Sequence, residues 1–439
     1  MTDTEILAHL DQLYDPVFDA PVSRWGTWSE KWEDVPKSYR HDAIVLSVAD
    51  MEFTTAPVVK QAVVRAAEHG IYGYTRLDNH YKKSAAQWFH TRHNWRVDSD
   101  DIVFFPKVIE FFSAYINHIS PGEVVAVVRP SYSPIIKILQ AGGAQIIDVE
   151  LIKESDSYRI DWQAMEEAFT KADSLLWYSP HNPTGRVWTQ DELQCLADLA
   201  RQYHIRILSD DIHADIVRHQ QYAQSAICEA VQVDRSLGAN DTGIKSWQHT
   251  DTQAAPTYIP LSVIAPDLYA SGQIIIVYSP GKTFNMAGIE SATVFVGNKT
   301  LRDAIKASTR KIGFLNPSYF TLPAVCAAYD HGASWVDTIR TIIDRNLAYA
   351  FARIRDEAPQ LMTYIPEGTY LMWIKVNDDI AFDVEDMMEK THVIVSPGPN
   401  FGAKYSHYFR INIACPLPVL QTALHRIVTY FNSDAITDR

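Results

Sequence analysis

The feature that most constrains this chain is a series of short Val/Ile/Leu runs, each closed by a turn or an acidic residue, alternating with helical patterns. The runs EVVAVVRPSY (123–132), SLLWYSPHNPTG (174–185), IRILSDD (205–211) and QIIIVYSPGK (273–282) read as strands apolar on both faces, and TQDELQCLADLARQYH (189–204) between two of them reads as a helix. Such alternation predicts α/β units around a largely parallel sheet, with ligands at the strand ends. Upstream, APVVKQAVVRAAEHG from residue 56 is a predicted helix, with apolar residues at helical spacing, Pro57 in its first turn and Gly70 just past its end. After about residue 315 the pattern shifts to long helices and a strand-like YLMWIKV (370–376), which predicts a smaller α+β domain joined by the N-terminal arm. The segment 216–258 is polar and lacks sustained periodicity, so it reads as an insertion: a surface loop first, a lid over a site second.

Composition narrows the function. With 439 residues, 47% of them hydrophobic, the chain can bury one large core and a second smaller one. A formal charge of −14 with no basic cluster disfavours nucleic acid and anionic lipid as partners. Four scattered cysteines without a CxxC predict neither a disulfide framework nor a metal site, and fit a reducing compartment. No stretch of about 18 apolar residues occurs, and the N-terminus is acidic and amphipathic, so a soluble, cytoplasmic, small-molecule enzyme is expected.

Three strand ends carry chemistry. Lys282 follows the turn residues Ser279, Pro280 and Gly281, where desolvation would depress its pKa and favour the neutral amine that condenses with an aldehyde. Alone, a lysine there reads more often as a solvated loop residue. Asp210, ending IRILSD, could pair with a cationic heterocycle nitrogen, or serve as a helix N-cap or metal acid, since Asp211 follows. Asn182, in SPHNPTG (179–185), could donate to a phenolate-like oxygen, although an NP turn by itself is only a turn. The three in one chain are a specific combination.

Together with RWGTWSEKW (24–32), VADMEF (48–53), HGIYGYT (69–75), PHNPTGRVWT (180–189), SDDIHADIV (209–217), SPGKTFNMAG (279–288) and FRINIACP (409–416), these motifs make the chain resemble the pyridoxal-5′-phosphate (PLP)-dependent aminotransferase class I/II superfamily of fold type I, nearest its MalY/PatB-type cystathionine β-lyase branch. The resemblance implies a large domain over 46–314 with a mainly parallel seven-stranded sheet between helices, a small domain over 315–439, and an arm, 1–45, that completes it. It further implies Lys282 as the lysine that bonds the cofactor aldehyde and shuttles protons, Asp210 on the pyridine nitrogen, Asn182 on the ring oxygen and Tyr132 against the ring. Arg410 would clamp the substrate α-carboxylate, and Tyr74 would reach the cofactor phosphate of the neighbouring subunit in a homodimer. Two positions depart from the wider pattern: Glu290 stands where many aminotransferases carry a phosphate-binding arginine, and Gly281 where Ser is frequent. The phosphate then falls to backbone N–H groups around Val108 in PKVIEFF (106–112), Lys107, Ser279 and Tyr74, an anion site at a helix start, with Lys107 reading equally as a solvent-facing residue. His213, where many relatives carry tyrosine, favours the lyase branch. The implied reaction is α,β-elimination from L-cystathionine or another cysteine S-conjugate. Transamination is the runner-up, and a PLP-fold protein with a regulatory partner is the reading from another class.

Overall fold

The computed structural model describes residue 18 and residues 20–218 and 256–433. Most of the segment read as an insertion, 219–255, therefore lies outside the described residues. Its flanks do not: Ile216, Val217 and Tyr258 are buried in the core.

Seven strands form the principal sheet: β1 (Ile102–Phe105), β2 (Val124–Arg129), β3 (Gln145–Glu150), β4 (Ser174–Tyr178), β5 (Arg206–Asp210), β6 (Ile274–Tyr278) and β7 (Ala292–Phe295), in the order β1-β7-β6-β5-β4-β2-β3. Pairings from β3 through β6 are parallel, and only β7 runs against its neighbours β6 and β1. The continuous hydrophobicity of the strands follows from burial on both faces. Leu175, Trp177, Ile207, Ile274 and Ile276 enter one apolar cluster, whereas Leu176, Leu208, Ile275 and Val277 enter the other.

The helices begin where local chemistry allows. Pro57 opens α1 (Pro57–Glu68), and the Asp78 side chain accepts backbone N–H groups at the start of α2 (Asn79–His93). Next along the chain comes α3 (Val108–His118), which follows β1. The capping box of Thr189 and Glu192, worth about 1 kcal/mol, starts α4 (Gln190–Tyr203). After β6 the chain makes only one turn of helix, α5 (Pro280–Thr283). A second sheet, antiparallel in the order β8-β9-β11-β10, comprises β8 (Leu361–Met362), β9 (Leu371–Val376), β10 (Ser396–Pro397) and β11 (Tyr408–Asn412). It packs with α6 (Ala333–Glu357) and α7 (Leu417–Phe431). The N-terminal arm joins this part, as Ile44–Val45 pairs with Val393–Ile394. Among the described residues no helix is long and apolar enough to cross a membrane, and no cluster of His, Cys, Asp or Glu could hold a metal.

Candidate active site

Because β4, β5 and β6 run parallel, their C-terminal ends face one side, and the turns after them line a cleft of about 1200 Å³. That exceeds the usual few hundred to 1000 Å³ of a site for one small ligand. Asn182, Asp210, His213, Ser279 and Lys282 come from these turns, Lys107, Val108 and Tyr132 from the ends of β1 and β2, and Arg410 from β11 across the cleft. Eight of the residues expected from sequence thus meet Lys282 in one cavity, or line it. Tyr74 does not: it is 99% exposed, outside the cleft of its own chain.

Lys282 donates from Nζ to the Ala49 carbonyl, which also accepts the Tyr370 hydroxyl at 3.1 Å. Burial lowers its pKa, Asp50 and Asp210 oppose that, and Arg410 and Lys31 add to it. Asp210, 5% exposed, accepts the Ile212 N–H at 3.3 Å, and burial pushes its carboxyl up to about 7. Burial also keeps His213 neutral, its pKa lowered to about 3, and its Nδ1 has no partner among the described residues. Burial raises the Tyr132 phenol, whose backbone carbonyl is held by the Tyr178 hydroxyl at 3.0 Å.

Arg410 is 4% exposed and lies over the Phe401 ring at 4.8 Å. Nη1 donates to Asn182 Oδ1 at 2.8 Å and Nη2 to Ser396 Oγ at 3.2 Å, while Nε has no partner among the described residues. No carboxylate of the described residues pairs with it, and burial lowers its pKa to about 10, which leaves it protonated at neutral pH. A buried cation with unspent donors is costly unless a ligand supplies an anion. The bond from Arg410 engages Asn182 Oδ1, and among the described residues the Asn182 NH₂ remains available to donate into the cleft.

At the opposite end, α3 opens at Val108, whose N–H belongs to the unsatisfied first turn. Lys107 Nζ pairs with Glu290 Oε1 at 2.8 Å, both side chains 45% exposed, so the anomalous glutamate holds the lysine. Ser279 Oγ accepts the Gly281 N–H at 3.0 Å as the cap of α5. The residues present fit pyridoxal phosphate: a cleft amine, a buried carboxylate, an amide donor, and orphan polar atoms on His213 and Arg410.

The arm, expected from sequence only to complete the small domain, also lines the cleft. Lys31, its side chain 1% exposed, pairs with Glu52 at 2.6 Å, and Arg24 pairs with Asp50 at 2.7 Å and Glu52 at 3.3 Å. The motifs RWGTWSEKW and VADMEF carry these residues, but only their apposition in the fold reveals the network.

The sequence profile of the family described as aminotransferase class I and II matches residues 41–427. Protein MalY of Escherichia coli (strain K12) is 30% identical, over 94% of this chain and 97% of its own length. Cystathionine beta-lyase PatB of Bacillus subtilis (strain 168) is 28% identical, over 93% and 98%. Among solved structures, cystalysin from Treponema denticola, which contains pyridoxal 5′-phosphate, superposes with a TM-score of 0.81 at 27% identity, covering 95% of this chain and 98% of that one. The PLP-bound C–S lyase from Staphylococcus hominis gives 0.79 at 25% identity, with coverage of 95% and 98%. The chain belongs to the aminotransferase class I and II family, with the fold of its PLP-binding members.

Proposed function

We propose that this protein is a PLP-dependent carbon–sulfur β-lyase that converts L-cystathionine or a related cysteine S-conjugate, with water, to a thiol, pyruvate and ammonia. The observation that carries the reading is Arg410, buried and without a carboxylate partner among the described residues, facing Lys282 and Asp210 across one cleft, a layout matched to an α-amino acid. Likeness to a cystathionine β-lyase and to a PLP-bound C–S lyase supports elimination as the outcome.

When bound, the cofactor supplies an electron sink for the pair left at Cα. Arg410 binds the α-carboxylate through donors not taken by Asn182 and Ser396. Lys282, its pKa lowered by burial, takes the Cα proton as a general base and can hand a proton to the departing sulfur. Asp210 would ionise against the ring nitrogen and keep that nitrogen protonated, and the Asn182 NH₂ would orient the ring oxygen. Tyr132 and the neutral His213 would flank the ring, and Val108, Ser279 and Lys107 would hold the phosphate end.

The active unit is proposed to be a homodimer. Tyr74, Ile71 and Leu315 are 99%, 70% and 73% exposed, and the segments carrying them adjoin, as Asn316 donates to the Thr75 carbonyl at 2.6 Å. Such a patch fits burial against a second copy, with Tyr74 reaching its cofactor phosphate. The division into an arm (1–45), a large domain (46–314) and a small domain (315–439) is part of the same reading. The described cysteines, Cys195, Cys326 and Cys415, are free, which suits a cytoplasmic enzyme.

The test is pyruvate release from L-cystathionine without a keto-acid acceptor, alongside an absorbance spectrum. Pyruvate release, with a cofactor band that vanishes in Lys282→Ala, is expected. Acceptor-dependent amino transfer without pyruvate would move the protein to the transaminases. Inactive Tyr74→Ala and Lys282→Ala chains, mixed, should regain part of the activity if sites are shared.

A further inference from the structure

Behind Lys282, away from the cleft, lies a carboxylate to which the mechanism above gives no task. Asp215 has a fully buried side chain and does not line the cavity. Its Oδ2 accepts the Tyr278 hydroxyl and Thr283 Oγ1, the latter at 2.8 Å. Its Oδ1 accepts His93 Nε2 at 2.9 Å and Trp88 Nε1 at 3.0 Å, both from α2, the indole N–H also reaching Oδ2 at 3.3 Å. Burial pushes this carboxyl up, but the donors from His93, Tyr278 and Thr283 outweigh burial and hold it at about 2, so it is ionised and His93 Nε2 carries the hydrogen.

The arrangement divides into two halves. Tyr278 ends β6 and Thr283 ends α5, so the two residues bracket Lys282, and their hydroxyls lie 3.1 Å apart. One carboxylate oxygen therefore closes the 278–283 segment at both ends. The other oxygen ties that knot to α2. The segment needs the tether, because a single turn of helix is unfavourable by itself: α5 has the Phe284 N–H to Pro280 carbonyl bond at 2.9 Å and its Ser279 cap, and little else of its own.

We propose that Asp215 is a positioning residue, which sets the reach of Lys282 into the cleft by clamping Tyr278 and Thr283 on either side of it. The inference rests on Lys282 being the amine that bonds the cofactor. Small displacements of a reacting group are expensive in rate, so the clamp acts on turnover more than on substrate affinity, which belongs to Arg410.

The test compares Asp215→Asn, Thr283→Val, Thr283→Ser and Trp88→Phe holoenzymes by the pH midpoint of the lysine–cofactor absorbance change, by kcat and KM for L-cystathionine, and by Tm. Thr283→Val deletes one donor at nearly constant shape and Thr283→Ser restores it. The charged groups facing Lys282, namely Asp50, Asp210, Arg410 and Lys31, are untouched by all four. Asp215→Asn and Thr283→Val should lower kcat about tenfold or more at nearly unchanged KM and move the midpoint by about half a unit or more. Thr283→Ser should behave as wild type, and Trp88→Phe, which removes a donor whose shorter bond is to the far oxygen and leaves Tyr278 and Thr283 in place, should lower Tm without moving the midpoint. A folded Thr283→Val with wild-type midpoint and kcat would reduce Asp215 to a structural knot. Unfolding of Thr283→Val would also overturn the proposal, since the cluster would then govern global stability, and Thr283→Val serves where Asp215→Asn fails to fold. A band that persists in Lys282→Ala would instead sink the lysine assignment on which the inference stands.

Discussion

Replacing Asp210 with Asn should change the slope of stability against pH in the cofactor-free protein, and by an amount the site itself sets. Asp210 is buried with one backbone N–H donor, and burial lifts its carboxyl from 3.8 to about 7. A carboxyl with a higher pKa in the folded state holds its proton more tightly there. The resulting stability is present below pH 3.8 and is lost as the pH rises to about 7. Each such group costs about 1.4 kcal/mol per pH unit inside that window, or roughly 4 kcal/mol across it at most. Asp211, which burial also lifts to about 7 against donors from Ser209 and Tyr258, adds a second proton to the same window. Wild type should thus lose stability about twice as steeply as Asp210→Asn if these two acids dominate. Buried acids elsewhere, such as Glu123, contribute to both proteins and cancel in the difference. Urea denaturation of both cofactor-free proteins at intervals from pH 4.5 to 8 measures the slopes. Adding pyridoxal phosphate should flatten the wild-type slope alone, because a protonated ring nitrogen against Asp210 draws its pKa down. Equal slopes in the two cofactor-free proteins would refute the idea that Asp210 waits neutral for a cation. A cofactor effect that survives in the variant would refute its pairing with the ring.

Other perturbations test the remaining parts of the site. Arg410→Lys keeps the charge but loses the fork, at a cost of about 1.5–3 kcal/mol for one charge-assisted bond; KM for L-cystathionine should rise about 10- to 100-fold, and a change under about twofold would remove Arg410 from substrate binding. Lys107→Ala should weaken cofactor affinity by about two- to fivefold, and Glu290→Gln should strengthen it by releasing the lysine, as expected for a half-exposed charge; unchanged affinity in both variants, followed by cofactor titration, would leave the pair a surface ion pair. Gly185→Ala should destabilise by about 2 kcal/mol or more, because φ is +69° there and a Cβ would meet Pro366 Cβ at 2.3 Å and the Gly368 carbonyl at 2.8 Å; a wild-type denaturant midpoint would show that the turn can relax.

What was legible in the sequence follows from how each feature is encoded. The strand ends around Asn182, Asp210 and Lys282 could be read because a parallel strand buried on both faces leaves an unbroken apolar run, and the polar residue that stops it marks the ligand-binding edge. The strands β1, β3 and β7 could not be read from the residues alone: IVFF and ATVF are four-residue runs without alternation, and QIIDVE has polar positions at a sheet edge. Arg410 was placed by the motif around it, but its decisive property, a cation buried without a carboxylate, exists only once β11 lies across from β5 and β6. The same holds more strongly for the supporting groups. Arg24, Lys31, Asp50 and Glu52 become one ionic network only through the fold. Asp215 gathers Trp88, His93, Tyr278 and Thr283 from segments up to 195 positions apart along the chain, counting from Trp88 to Thr283. Residues that touch the cofactor must sit where strands end, so local pattern exposes them. Residues that hold those in place answer only to three-dimensional neighbours, and an acid after His213 and Ala214 looks like any other until the tyrosine and threonine on either side of Lys282 close onto it.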